Sequence, residues 1–99
     1  MSLELRRTEQ AVNQLGAIAE HISLVSPIYA EQVVERLVAR LRQAQDFPAS
    51  GRFVPEMSRP DLRELIEALH RIIYGVRPTV VEVTAILHGR QHLATHVSD

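Results

Sequence analysis

Three imidazoles stand four residues apart in the run His88-Gly-Arg-Gln-His92-Leu-Ala-Thr-His96, a spacing that on one helix would turn all three toward a single metal ion. Gly89 opposes a helix starting there. A structural zinc site also wants four protein ligands, and the chain has no cysteine to add. The run is therefore read as holding no metal, and no cofactor is expected. All eleven cationic side chains are arginine and lysine is absent. That excludes a phosphate-loop lysine and a Schiff-base lysine, and the lack of cysteine excludes thiol nucleophiles. Any catalysis must rest on Arg, His, Tyr or carboxylates.

The 99 residues are 45% apolar and 23% charged, as in ordinary globular proteins, and a chain of this size builds one domain around one core. We expect that domain to span residues 1–99, with a tail from about residue 92 that can stay unordered. Formal charge is −1, with five arginines against six acids in residues 1–50 and six against six in 51–99. Nucleic-acid binders usually carry a basic excess, so direct DNA binding by the chain alone is not expected. No apolar stretch reaches membrane-spanning length and the first residues lack the apolar core of a secretory signal, which points to a cytoplasmic protein without a membrane partner.

The elements that must position these groups follow from periodicity. Leu3 and Leu5 alternate with Glu4 and Arg6, as in a short strand. Thr8 can cap a helix whose first turn holds Glu9, where a carboxylate suits the positive end of the dipole. Ala11, Val12, Leu15, Ile18, Ala19 and Ile22 form its apolar stripe. Ser26 and Pro27 supply an N-cap and a first-turn proline for a second helix, striped by Ala30, Val33, Val34, Leu37, Val38, Leu41 and Ala44. Two helices so closely joined should pack as an antiparallel hairpin. Residues 46–61, with three prolines and a glycine, read as loop, pinned to the core by Phe47, Phe53, Val54 and Met57.

Residues 62–76 carry two patterns at once. Leu62, Leu65, Ile66, Leu69, Ile72, Ile73 and Val76 have helical spacing, with Asp61 and Glu64 placed as a capping box. Against this, Ile72-Ile73-Tyr74 favours a strand, Gly75 is a poor helix residue, and the strand-like run Thr79–Leu87 needs a partner that 69–76 could supply as a hairpin.

The order of motifs resembles the RelE/ParE superfamily of bacterial toxins from type II toxin–antitoxin modules. The resemblance is carried by Ser26-Pro27 with Ala30, Pro48-Ala-Ser-Gly51-Arg52 with Pro55-Glu56, Leu62-Arg63-Glu64-Leu65, His70-Arg71-Ile72-Ile73-Tyr74 and Leu87-His88-Gly89-Arg90. It implies an α+β fold: an N-terminal strand, an antiparallel helical hairpin, then an antiparallel sheet of about three strands near 62–66, 69–76 and 79–87. The Glu67-Ala68 turn departs from relatives that often place glycine there.

Two activities follow from this resemblance. RelE-like members resemble ribosome-dependent mRNA endonucleases, and in that case Arg71 would stabilise the phosphate, with His88, Arg90 and Arg77 as further catalytic candidates. His70, Gly75 and Gln91 replace a Tyr and two arginines common in such members. ParE-like members lack the nuclease residues and inhibit DNA gyrase. The near-neutral charge favours this second activity, because each neutralised phosphate on a ribosomal surface calls for a cation. For Arg71 the competing structural role is an ion pair with Glu64 or Glu82 on a neighbouring strand. Either activity implies neutralisation by a cognate antitoxin of the ParD or RelB kind, with Tyr29, Arg36, Arg40 and Phe53 as candidate contacts. A non-toxic helical interaction protein is the third reading, favoured by the periodicity of 62–76.

Overall fold

The computed structural model describes residues 3–89; Arg90, His92 and His96 lie outside them. Strand β1 (Glu4–Arg7) leads into helix α1 (Glu9–Ser23) and helix α2 (Pro27–Asp46). A 3-10 turn (Pro48–Ser50) and the two-residue strand β2 (Arg52–Phe53) precede strands β3 (Leu62–Glu67), β4 (His70–Val76) and β5 (Val80–His88). The sheet order is β1-β5-β4-β3-β2. β1 runs parallel to β5, and every other pairing is antiparallel. The α+β architecture and its three main strands are those expected; β2 within the proline-rich segment and the parallel seat of β1 are additions.

Both helix starts form as their sequences dictate. The Thr8 hydroxyl accepts the Ala11 N–H at 3.1 Å and the Ser26 hydroxyl accepts the Tyr29 N–H at 3.1 Å, each supplying a partner for a first-turn donor. Residues 62–76 are not helical. β4 lies in the middle of the sheet, and Ile72, Ile73 and Tyr74 are all fully buried. A strand covered on both faces reads as an unbroken apolar run rather than an alternation, and that run mimics helical spacing.

The helices cover one face of the sheet. Ala11 of α1 and Val33, Leu37 and Leu41 of α2 pack on Ile72, Val83 and Ile86, and Ala44 packs with Leu65, Tyr74 and Val81. The other face is covered by the chain between β2 and β3, through Val54 and Met57 on Leu62, Ile73, Ala85 and Leu87. Phe47 and Phe53, expected to pin this segment, are instead exposed, as is Val12 from the α1 stripe. Beside Val54 and Met57, Tyr74 ties the segment down: its hydroxyl donates to the Pro48 carbonyl at 2.7 Å and accepts the Gly51 N–H at 2.9 Å. A Cβ at residue 51 would collide with that hydroxyl, so glycine is what permits the close approach.

Candidate functional site

Strand alternation fixes which side chains can meet. On β4, Ile72 and Tyr74 face the helices, so His70 faces them too, while Arg71 and Ile73 point to the opposite side. On β5, Ile86 faces the helices and Leu87 does not, which sends His88 to the helix side. Arg71 and His88 therefore leave the sheet on opposite faces. Arg77 sits before the other end of β5, about 26 Å along the strand from His88 at ~3.3 Å per residue, and pairs with Glu82 at 3.6 Å. These three catalytic candidates do not converge on one substrate atom.

Arg71 sits at the centre of a buried charge cluster. Its side chain is 8% exposed and that of Glu64, on neighbouring β3, is fully buried. The Arg71 Nε donates to a Glu64 oxygen at 2.7 Å, and one terminal nitrogen forms an ion pair with the same oxygen at 2.6 Å. The two terminal nitrogens donate to the two Glu56 oxygens, each at 2.7 Å. The second Glu64 oxygen accepts from Arg52 Nε. Among the described residues the cluster sets two cations against two anions, as burial of charge favours. The Glu56 and Glu64 carboxylates hold Arg71 firmly protonated, well above its ordinary range. The Glu64 partner was one of the two foreseen; Glu82 goes to Arg77 instead, and Glu56 was missed. A carboxylate in an irregular segment carries no periodic signature of its tertiary partner, and its only signal was the Pro55-Glu56 pair.

The helix face ends in an apolar cleft of about 260 Å³ lined by Ile22, Tyr29, Val33, Arg36, Leu69 and His88 among others. It adjoins a second cleft of about 320 Å³ along α1, and His21, His70 and His88 border both. The His70 and His88 rings meet edge to face at 6.2 Å. Burial, with His88 nearby, lowers the His70 pKa below the usual imidazole value. Among the described residues no group of three or more His, Asp or Glu side chains is arranged to hold a metal ion.

The four candidate partner contacts occupy two regions. Tyr29 and Arg36 line the first cleft. Arg40 donates to Gln43 at 2.7 Å and reaches Glu67 at 3.5 Å. Phe53 lies far off on edge strand β2, 57% exposed, with the Arg63 guanidinium 4.4 Å above its ring. Beside the cleft, the turn between the helices exposes Leu24 and Val25, Val25 to 91%, and the first turn of α2 exposes Ile28, a set the sequence did not single out. No helix among the described residues is long and apolar enough to cross a membrane.

A helical hairpin laid on one face of this sheet is the architecture of the RelE/ParE class of toxins. The chain superposes on the chromosomal ParDE system of P. aeruginosa with a TM-score of 0.73 at 23% identity, over 88% of this chain and 96% of that one. A mutant of the E. coli toxin RelE in the free state gives 0.67 at 19% identity, over 98% and 95%. The toxin–antitoxin complex RelBE2 from Mycobacterium tuberculosis gives 0.60 at 17% identity, over 89% and 92%. The family described as ParE toxin of type II toxin-antitoxin system, parDE, matches residues 5–93, and the chain belongs to that family. No curated protein matches the sequence.

Proposed function

We propose that this toxin acts on DNA gyrase by binding it, without cutting RNA, and that a cognate ParD-like antitoxin neutralises it. The observation that carries the reading is the engagement of Arg71. The guanidinium that a nuclease would turn toward a scissile phosphate is buried against Glu56 and Glu64, and His88 lies across the sheet from it. A nuclease needs its phosphate stabiliser and its proton-transfer groups within reach of the same atoms. Charge supports the same reading, since a net charge of −1 gives little attraction to a ribosomal phosphate surface. The similarity to a ParDE system adds weight.

The antitoxin is expected at the hairpin turn and its cleft. Ile28, Leu24 and Val25 are exposed there beside Tyr29, and Arg36 lines the same cleft. An apolar patch with a charge at its edge suits an amphipathic segment that folds on docking. The deciding experiment assays gyrase supercoiling and ribosome-dependent mRNA cleavage side by side with the purified chain. Inhibited supercoiling with intact mRNA is the expected result. Cleaved mRNA with normal supercoiling would replace this reading with the RelE-like one.

A further inference from the structure

The cleft on the helix side of the sheet is apolar in its walls and cationic at its rim. Ile22 of α1, Tyr29 and Val33 of α2 and Leu69 of the β3–β4 turn supply the walls. Around them stand His21 of α1, Arg36 of α2, His70 of β4 and His88 of β5, one from each of four elements. An apolar surface rimmed by polar groups marks a place where something docks, and the charge of the rim selects what does.

That charge is one-sided. Among the described residues lining the cleft, Glu67 is the only carboxylate, and Arg40 already reaches it at 3.5 Å. Arg36 pairs with no carboxylate among the described residues. Within a helix its partners would stand three or four residues away, and those positions hold Gln32, Val33, Ala39 and Arg40. The imidazoles add to the imbalance whenever they are charged. His70 and His88 meet edge to face at 6.2 Å, His21 borders both clefts, and the set is not arranged to hold a metal ion. An anion brought beside such rings favours their protonated form.

We propose that this cleft receives a carboxylate carried on an apolar segment of the antitoxin, its apolar side chains on Ile22, Tyr29, Val33 and Leu69 and its carboxylate between Arg36 and the two imidazoles of His70 and His88, which take up a proton on docking. The partner is the antitoxin only if the hairpin end is where it docks, as proposed above; the rim adds the sign of its charge and a coupling to pH. The charged and titratable groups around His70 are His21 from α1, Arg36 from α2, Glu67 from β3 and His88 from β5. Of these side-chain types, imidazole is the one that ordinarily titrates between pH 5 and 8. A docked carboxylate opposes the burial that disfavours imidazolium, so affinity rises as pH falls through that range. Cover by an uncharged or cationic segment gives the opposite slope.

The test has two arms. In the first, octanoate, octanol and octylamine are titrated into the full chain, following the His70 and Arg36 side-chain resonances by NMR. Octanoate is expected to bind roughly tenfold more tightly than octylamine, with octanol between them. Its affinity should be about threefold higher at pH 6 than at pH 8, and the response should vanish in His70→Gln combined with His88→Gln. Should that double variant fail to fold, Arg36→Glu, at an exposed position, carries the comparison: octanoate loses its lead over octylamine. Octanoate binding no better than octylamine, or a flat pH response, overturns the proposal. In the second arm, Arg36→Glu is expected to weaken the antitoxin complex by roughly tenfold in calorimetric titration, with Arg36→Lys restoring most of the loss. An affinity untouched by Arg36→Glu also overturns the proposal. If Ile28→Arg with Tyr29→Arg still weakens that complex, docking at the hairpin end survives the failure; if it does not, both fall together.

Discussion

Glu64 and Arg52 make one ion pair whose two halves differ sharply in their surroundings. The Glu64 carboxylate is fully buried, whereas the Arg52 side chain is 63% exposed. Truncating the buried partner leaves Arg71 with Glu56 but removes the acceptor of its Nε and an anion from a low-dielectric setting, and such losses cost about 3–5 kcal/mol. Glu64→Ala is therefore expected to lower the urea midpoint severely, while Arg52→Ala, giving up a solvent-screened contact, should cost about 0–1 kcal/mol. Comparable losses in the two variants would contradict the cluster as described. His70 gives a pH signature. Its pKa is lowered in the folded chain by burial and by His88, so below its ordinary value near 6.5 the unfolded chain binds the proton more readily. Stability is full above that pH and declines as pH falls toward the lowered native value. Melting temperatures measured from pH 7 to 5 should drop for the wild type and drop less for His70→Gln. Of this chemistry, the sequence made Arg71 and Glu64 visible as neighbouring-strand charges. Glu56 stayed hidden because the irregular segment that delivers it obeys no period.

At the scale of elements, the turn between β3 and β4 carries a local strain. Glu67 pairs with His70 across it, and Ala68 adopts φ 52°, a left-handed conformation that costs a residue with a Cβ roughly 1–2 kcal/mol. Two-residue hairpin turns with positive φ at the first central position favour glycine there. Ala68→Gly is therefore expected to raise stability by up to about 1 kcal/mol, less the entropy glycine regains on unfolding; a loss would show that the turn is not strained. This hairpin was also the hardest element to read. Thr8 and Ser26-Pro27 announced their helices because capping is local chemistry, whereas Ile72-Ile73-Tyr74 is buried by neighbours distant in sequence. The alternation that would have marked a strand was erased by apolar cover on both faces. β2 escaped notice for a simpler reason: two residues are too few to show a period.

The whole molecule presents two unlike ends. One carries the hairpin turn with its exposed Leu24, Val25 and Ile28 beside the Tyr29 cleft; the other edge carries Phe53 on a strand of two residues. If the antitoxin docks on the first, Ile28→Arg combined with Tyr29→Arg should weaken the complex at least tenfold in calorimetric titration, with the melting temperature of the free toxin unchanged. Phe53→Ala should leave that affinity within about twofold, since contacts outside the docked region contribute little. A loss with Phe53→Ala alone would move the interface to the β2 edge. The sheet margins are otherwise guarded against chance pairing: β2 is very short, and β1 bears an exposed Glu4–Arg6 pair at 3.2 Å.

The parallel seat of β1 has a consequence in time. Glu4 pairs with Val80 and Arg7 with Val83, so each residue of β1 waits for a partner translated 76 positions later. At 5–20 residues per second that wait is roughly 4–15 s. Until then Leu5 and the apolar sides of both helices lack Val83 and Ile86, and β4 has neighbours on one side only. Translation halted before β5 would leave a chain with an open core and an unpaired strand at each flank of the gap. The finished fold, and any toxicity that depends on it, can arise only once β5 has been made.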